Sequence, residues 1–244
     1  VSSSSSQEGD GHYFSSQFII FYTELIKSEY GLYTSDKSQF SIPLFSTEMK
    51  DITKEELEYV KNTEYKRFPV DNGYGSVSKF LLNEQPIKSL KDKIDQVVKT
   101  YLYDILHVNK EHKFEMTESW SVKHIKGDES GSHRHANSML SGVLYLQTDE
   151  TSGDIWFHKD PNTTTVFTPT VDVTFTETNI FNSQIWAVRP KSNTLILFPS
   201  TLFHSVMPSQ SDIDRYVVAF NYFAYGDFGH GNNLQLSLKN NLNK

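Results

Sequence analysis

The chain has 244 residues, 37% of them hydrophobic, which suits one large domain with appendages. The formal net charge is −7 and no stretch concentrates Lys and Arg, which argues against a nucleic-acid partner without excluding a nucleotide substrate. With no cysteine, disulfides, Fe–S clusters, thiolate-bound zinc and thiol nucleophiles are excluded, and a reducing cytoplasm is a compatible location.

Residues 1–14 are polar, without the apolar run of a signal peptide, and read as a flexible leader. Between Ser15 and Tyr30 the apolar residues Phe18, Ile19, Ile20, Phe21, Leu25 and Ile26 fit a helix or a buried strand feeding one. Phe40, Ile42 and Leu44 alternate around Pro43, which suits a short edge strand over 39–45. Thr53 is placed to cap a helix, with Glu56 at the capping-box position and Leu57 and Val60 as apolar anchors. Ser89 is placed to cap a second helix, in which Leu90, Ile94, Val97, Val98, Tyr101, Leu102 and Ile105 recur at helical spacing. Residues 15–112 thus form a helical and extended region ahead of a different texture.

From residue 113 to 226 the chain reads as short strands divided by polar turns. They are the alternation at Trp120 and Val122, then Leu140–Leu146, Ile155–Phe157, Ile185–Val188, Leu195–Phe198 and Tyr216–Phe223. Strands without intervening helices predict an antiparallel sandwich or barrel. The Thr- and Asn-rich segment from Lys159 to Ser183 reads as an inserted hairpin or flap over a substrate, and residues 227–244 as a tail. Trp120, Trp156 and Trp186 are expected in the core. No segment approaches the length of apolar residues that a membrane helix needs.

The most informative stretch is Gly131-Ser132-His133-Arg134-His135-Ala136-Asn137. Residues two apart on a strand share a face, so His133 and His135 can converge on one metal, and imidazole suits Fe, Zn, Cu and Ni. Two exposed loop histidines would be the structural alternative. A third histidine, His204, follows the apolar run Leu195–Phe198, and Arg215 opens the last strand.

That order resembles the 2-oxoglutarate/Fe(II)-dependent oxygenases. It is similar to a phage and bacterial group with an H-x-H-x-N-S-x-L-S-G-V-x-Y-L signature, which here runs from His133 to Leu146. The resemblance spans about Phe114 to Phe223. It implies a mainly β protein whose core is a double-stranded β-helix, a cupin-like jelly roll, with N-terminal helices packed on it. It further implies Fe(II) held by His133, His135 and His204, and 2-oxoglutarate held by Arg215. A guanidinium grips a carboxylate through two parallel hydrogen bonds; alternatively, Arg215 pairs at the surface with Asp212 or Asp214. Tyr145 and Asn137 fall where they can add hydrogen bonds to the co-substrate, or serve packing and a turn.

One departure is built in, because most of the superfamily carries Asp or Glu where His135 stands. Either all three histidines bind iron, or Asp128, Glu129, Asp154 or Asp160 supplies a carboxylate, or the site holds metal without turnover. The three-histidine set is favoured here. The expected reaction is hydroxylation of a small molecule or protein side chain, with 2-oxoglutarate decarboxylated to succinate. The rivals are a three-histidine dioxygenase without 2-oxoglutarate and a non-catalytic jelly-roll binding or structural protein. Homo-oligomerisation is left open. His124 and His158 read as structural, and the sequence has no Walker or dinucleotide phosphate loop and no nucleophile elbow.

Overall fold

A computed structural model describes residues 42–69, 72–159, 173–178, 182–229 and 235–239. The expected leader, the apolar stretch from Ser15 to Tyr30, and most of the expected flap lie outside those residues. The capping box forms as predicted at helix α1 (Lys54–Lys61). The Thr53 hydroxyl accepts the Glu56 N–H at 3.1 Å and the Glu56 carboxylate accepts the Thr53 N–H at 2.9 Å. Helix α2 (Lys88–Lys99) begins two residues earlier than expected, straight out of a 3-10 turn over Gln85–Ile87, and continues as a π-helical turn over Thr100–Ile105. Ser89 is therefore no cap. Its hydroxyl donates to Glu56 at 2.7 Å and so ties the two helices together.

The strands are β1 (Phe45–Glu48), β2 (Tyr65–Arg67), β3 (Tyr74–Ser76), β4 (Lys113–His124), β5 (Ser130–His133), β6 (Leu140–Gln147), β7 (Ile155–His158), β8 (Ile185–Val188), β9 (Thr194–Pro199), β10 (His204–Val206), β11 (Arg215–Phe228) and β12 (Leu236–Leu238). The larger sheet runs β1-β9-β6-β11-β4-β3-β2, with β12 added to β11, and the smaller runs β5-β10-β7-β8. Every pairing is antiparallel. This is the mainly β, double-stranded β-helix core that the sequence predicts.

Alternation along three central strands separates two cores. Leu144 and Leu146, Leu195 and Leu197, and Val218 and Phe220 face outward to Leu90, Ile94, Val97 and Tyr101 of the helical layer. Their neighbours Tyr145, Ile196, Phe198 and Val217 face inward to Ile155 and Phe157 of the smaller sheet. Close approach fixes the residue between the layers at Gly142. A Cβ there would lie 2.4 Å from the Phe220 ring and 2.7 Å from Leu197.

Several expectations are corrected. The edge strand starts at Phe45, where the predicted run over 39–45 ends. β1, β2 and β3 belong to the same sheet as the oxygenase-like strands, so the sheet runs across the expected boundary at 112–113. β11 extends to Phe228 and β12 folds back on it, so the expected tail contributes a strand. Trp120, Trp156 and Trp186 are half-buried rather than core: Trp120 lines the cavity between the sheets and Trp186 packs on the edge of the inner core. No helix among the described residues is long and apolar enough to cross a membrane.

Candidate metal and co-substrate site

His133 ends β5 and lies opposite His204, the first residue of β10, while Phe157 of β7 flanks His204 on its other side. The strand stops at His133, so His135 does not share it as expected. His135 lies just beyond, where its backbone N–H donates to the Ser200 carbonyl at 3.0 Å. The turn still brings the imidazoles together, with ring centroids 4.3 Å apart for His133 and His204 and 5.1 Å apart for His135 and His204. One ligand nitrogen from each of the three lies within 4.8 Å of the others.

Hydrogen bonds decide which nitrogen faces inward. A carbonyl oxygen only accepts, so His133 Nδ1 donates to Gly131 O at 2.8 Å and His204 Nδ1 donates to Leu202 O at 3.0 Å. His135 Nδ1 is bound at 2.6 Å by Asn221 Oδ1 and lies 2.9 Å from the Ser141 hydroxyl. With each Nδ1 committed, each Nε2 lone pair is left for a metal, the arrangement in which ligating histidines are oriented by a partner on their other nitrogen. Burial, then the neighbouring His133, drives the His204 pKa down to about 3; burial also lowers that of His135. The neutral form is the one that ligates.

The carboxylate alternatives lie elsewhere. Asp128 is buried against the Ile125 N–H and Arg67, and Asp154 pairs with Arg189 at 2.9 Å. Glu129 is exposed, and Asp160 lies outside the described residues. Among the described residues, the three histidines form the only group of potential ligands gathered closely enough to hold a metal.

A cavity of about 360 Å³ opens on these histidines, and Arg215 and Tyr145 line it too. Arg215 is 2% exposed. Its Nη2 donates to His124 Nδ1 at 2.6 Å, and its Nη1 lies 3.2 and 3.3 Å from the carbonyls of Ser152 and Gly153. None of these partners is an anion, and Nε has no hydrogen-bond partner among the described residues. Burial lowers the guanidinium's pKa, yet an arginine stays charged. The His124 ring must accept, so it is neutral, and burial pushes its pKa down to about 3. The Tyr145 hydroxyl, held protonated by burial that raises its pKa to about 12, has no hydrogen-bond partner among the described residues. Asn137 sits exposed in a turn at φ +55°, outside the cavity lining, and its conformation accounts for the residue type there.

Sequence reasoning missed the supporting shell. Asn221 and Ser141 hold His135, and His124, Ser152 and Gly153 hold Arg215. Gly153 carries its own signal, since at φ +86° a Cβ would meet the Met207 carbonyl oxygen at 2.1 Å.

Residues 118–221 match the model of a family described as "Putative 2OG-Fe(II) oxygenase". No protein of curated function matches the sequence significantly. Among solved structures, the chain resembles the non-heme α-ketoglutarate-dependent epimerase SnoN from nogalamycin biosynthesis, with a TM-score of 0.52 at 13% identity over 73% of this chain and 75% of that one. SnoN in complex with Fe3+, α-ketoglutarate and nogalamycin RO gives 0.51 at 12% identity, over 73% and 78%. A 2OG-Fe(II) oxygenase-family oxidoreductase from Burkholderia pseudomallei overlaps at 0.49 and 13% identity, over 68% and 74%. At such identities the SnoN overlap speaks for the fold alone. The family model thus covers the strands that bear the histidines, and the overlap with SnoN shows a shared fold.

Proposed function

We propose that His133, His135 and His204 hold Fe(II) through their Nε2 atoms, and that Arg215 anchors the far carboxylate of 2-oxoglutarate with help from the Tyr145 hydroxyl. The observation that carries this reading is a buried guanidinium with no anion beside it among the described residues, in the same cavity as three imidazoles whose Nδ1 atoms are already engaged. A buried charge without a counter-charge is costly. A dicarboxylate reaching from the histidines to Arg215 supplies one. It is also why we prefer this reading to a three-histidine dioxygenase that works without 2-oxoglutarate.

Iron bound there supplies the coupled decarboxylation of 2-oxoglutarate to succinate and oxidation of a substrate C–H bond. The protein's own contribution is positional. Gly131, Leu202 and Asn221 orient the ligands, while His124, Ser152 and Gly153 aim the guanidinium. The valine, isoleucine and alanine side chains of Val122, Val143, Ile155, Val206, Val217 and Ala219 keep the wall between them apolar. Trp120, half-buried, and Lys79, exposed, line the same cavity and offer a small-molecule or protein side-chain substrate its first contacts. The expected product is a hydroxylated substrate.

The test is succinate release from 2-oxoglutarate with Fe(II) and ascorbate, together with anaerobic Fe(II) binding. Wild type should bind Fe(II) and release succinate. His204→Ala should lose metal by more than the roughly 100-fold that a supporting residue costs. Arg215→Ala should keep the metal and lose 2-oxoglutarate. Arg215→Ala with undiminished 2-oxoglutarate affinity would overturn the co-substrate assignment.

A further inference from the structure

We infer that Glu118, acting through Asn221, supplies from outside the ligand shell the negative charge that this three-histidine site lacks within it. The inference rests on the metal site proposed above.

Asn221 sits on β11, and its amide faces two ways. Its oxygen accepts from His135 Nδ1 at 2.6 Å and from the Ser141 hydroxyl at 2.8 Å. Its nitrogen lies 3.4 Å from Glu118 Oε2 across the β4–β11 pairing, where Glu118 and Asn221 are direct partners. An amide read the other way round would turn its nitrogen on an imidazole N–H and its oxygen on a carboxylate. The Glu118 charge therefore selects one orientation of Asn221, which in turn selects the His135 tautomer with Nε2 free. Ser141 locks the same choice from below, at the end of a chain that runs through Ser200 to Ser138, each link 2.8 Å.

Charge bookkeeping gives the arrangement its purpose. In a site with two histidines and a carboxylate, the ligand carboxylate and doubly negative 2-oxoglutarate together cancel a doubly positive ion and the anchoring arginine. Replacing that carboxylate by neutral His135 leaves one positive charge over. Glu118 lines the same cavity, is half-buried, and forms no ion pair among the described residues. The other charged side chain lining the cavity besides Arg215, Lys79, is exposed and lies over the Trp120 ring, 5.5 Å from its centroid. Glu118 thus returns the site to balance through one amide, and also makes the His135 imidazole a stronger donor to the metal. It is a positioning residue, which touches neither metal nor co-substrate.

The experiment measures anaerobic Fe(II) and Co(II) binding, the Co(II) visible spectrum and thermal melting for wild type, His204→Ala, Glu118→Gln, Asn221→Ala and the double variant. Asn221→Ala should weaken metal binding about tenfold or more. Glu118→Gln should weaken it about threefold and shift the Co(II) bands, with unchanged melting of the metal-free protein. In the Asn221→Ala background, the Glu118 substitution should have no further effect on affinity, since the coupling runs through the amide. Asn221→Asp in the Glu118→Gln background should restore affinity by placing a carboxylate directly on His135. If wild type binds metal and His204→Ala does not, but Glu118→Gln leaves affinity and spectrum unchanged, the inference is wrong while the metal site stands. Glu118→Gln that alters only the KM of a substrate would make Glu118 a substrate contact and equally overturn it. If wild type binds no metal, both ideas fall together.

Discussion

The two ends of the cavity are built by opposite means. At the histidine end, His133 and His204 are each oriented by the carbonyl two residues earlier in the chain, Gly131 and Leu202. At the arginine end, every partner of Arg215 is distant in sequence: His124 by 91 positions, Ser152 by 63 and Gly153 by 62. Ring orientation at the metal end is thus set by local backbone for His133 and His204, whose convergence itself needs the β5–β10 pairing, whereas Arg215 is aimed only by groups distant in the chain. His135 belongs with the second kind, since Asn221 is 86 positions away. Damage to long-range packing should therefore cost 2-oxoglutarate binding before it costs the metal.

The sharpest way to break that contrast is Arg215→Met, which keeps volume and removes the charge. Losing a buried carboxylate anchor is worth about 2–5 kcal/mol, so 2-oxoglutarate affinity should fall by roughly 30-fold to several-thousand-fold while Fe(II) affinity stays near wild type. Stability should move the other way. An unpaired buried guanidinium with an unsatisfied Nε strains the ligand-free fold, and its removal should stabilise that form by about 1–3 kcal/mol in denaturant melts. A variant less stable than wild type without 2-oxoglutarate would mean that the three neutral partners of Arg215 already satisfy it.

Gly153→Ala tests the same end through backbone. It forces an L side chain onto φ +86° and into the Met207 carbonyl, so the turn after β6 must shift at a cost of about 1–3 kcal/mol. The Gly153 carbonyl shifts with it, so 2-oxoglutarate binding should weaken and the metal should not. Equal losses at both ends would show that the cavity behaves as one cooperative unit.

The same division explains what the sequence revealed. Strands β6, β9 and β11 were legible because each is an apolar run bounded by turns, and the capping box at Thr53 because its two bonds span three residues. His133 and His204 stood out as candidates for the same local reason, and Arg215 by its place at the head of β11. The strand under His135 was overextended, because periodicity cannot show that pairing with β10 stops at His133. Asn137 was read as either a co-substrate contact or a turn residue, and its left-handed conformation fits the turn. Asn221, His124 and Glu118 were opaque. Each acts across the β4–β11 register, and no local pattern marks which residue of one strand will face which of another.

Tyr145→Phe should have a smaller effect. Its hydroxyl is neutral, so the loss is one ordinary hydrogen bond of about 1 kcal/mol and a rise of roughly fivefold in the KM for 2-oxoglutarate. The packing of the ring is retained, so melting should not change. A loss as large as that of Arg215→Met would make the tyrosine an equal anchor.

At neutral pH the smallest effect is expected at His124, whose contribution shows in acid. Its folded pKa, about 3, lies below the ordinary value of 6.5, chiefly because of burial and then because of Arg215. Between those two values the unfolded chain binds a proton that the folded chain refuses. The stability His124 contributes is thus full above about pH 6.5 and is lost progressively as pH falls toward 3. His204, with its pKa also near 3, adds a second loss over the same window, with or without metal, because a metal-bound nitrogen refuses the proton as well. His124→Asn keeps an acceptor for Arg215 Nη2 but takes up no proton. In acid unfolding curves it should flatten the fall between pH 6.5 and 3, leave stability at pH 7.5 lower by no more than about 1 kcal/mol, and do so equally with and without Fe(II). A flattening that appears only without metal would tie His124 to the histidine end and erase the separation between the two halves of the cavity.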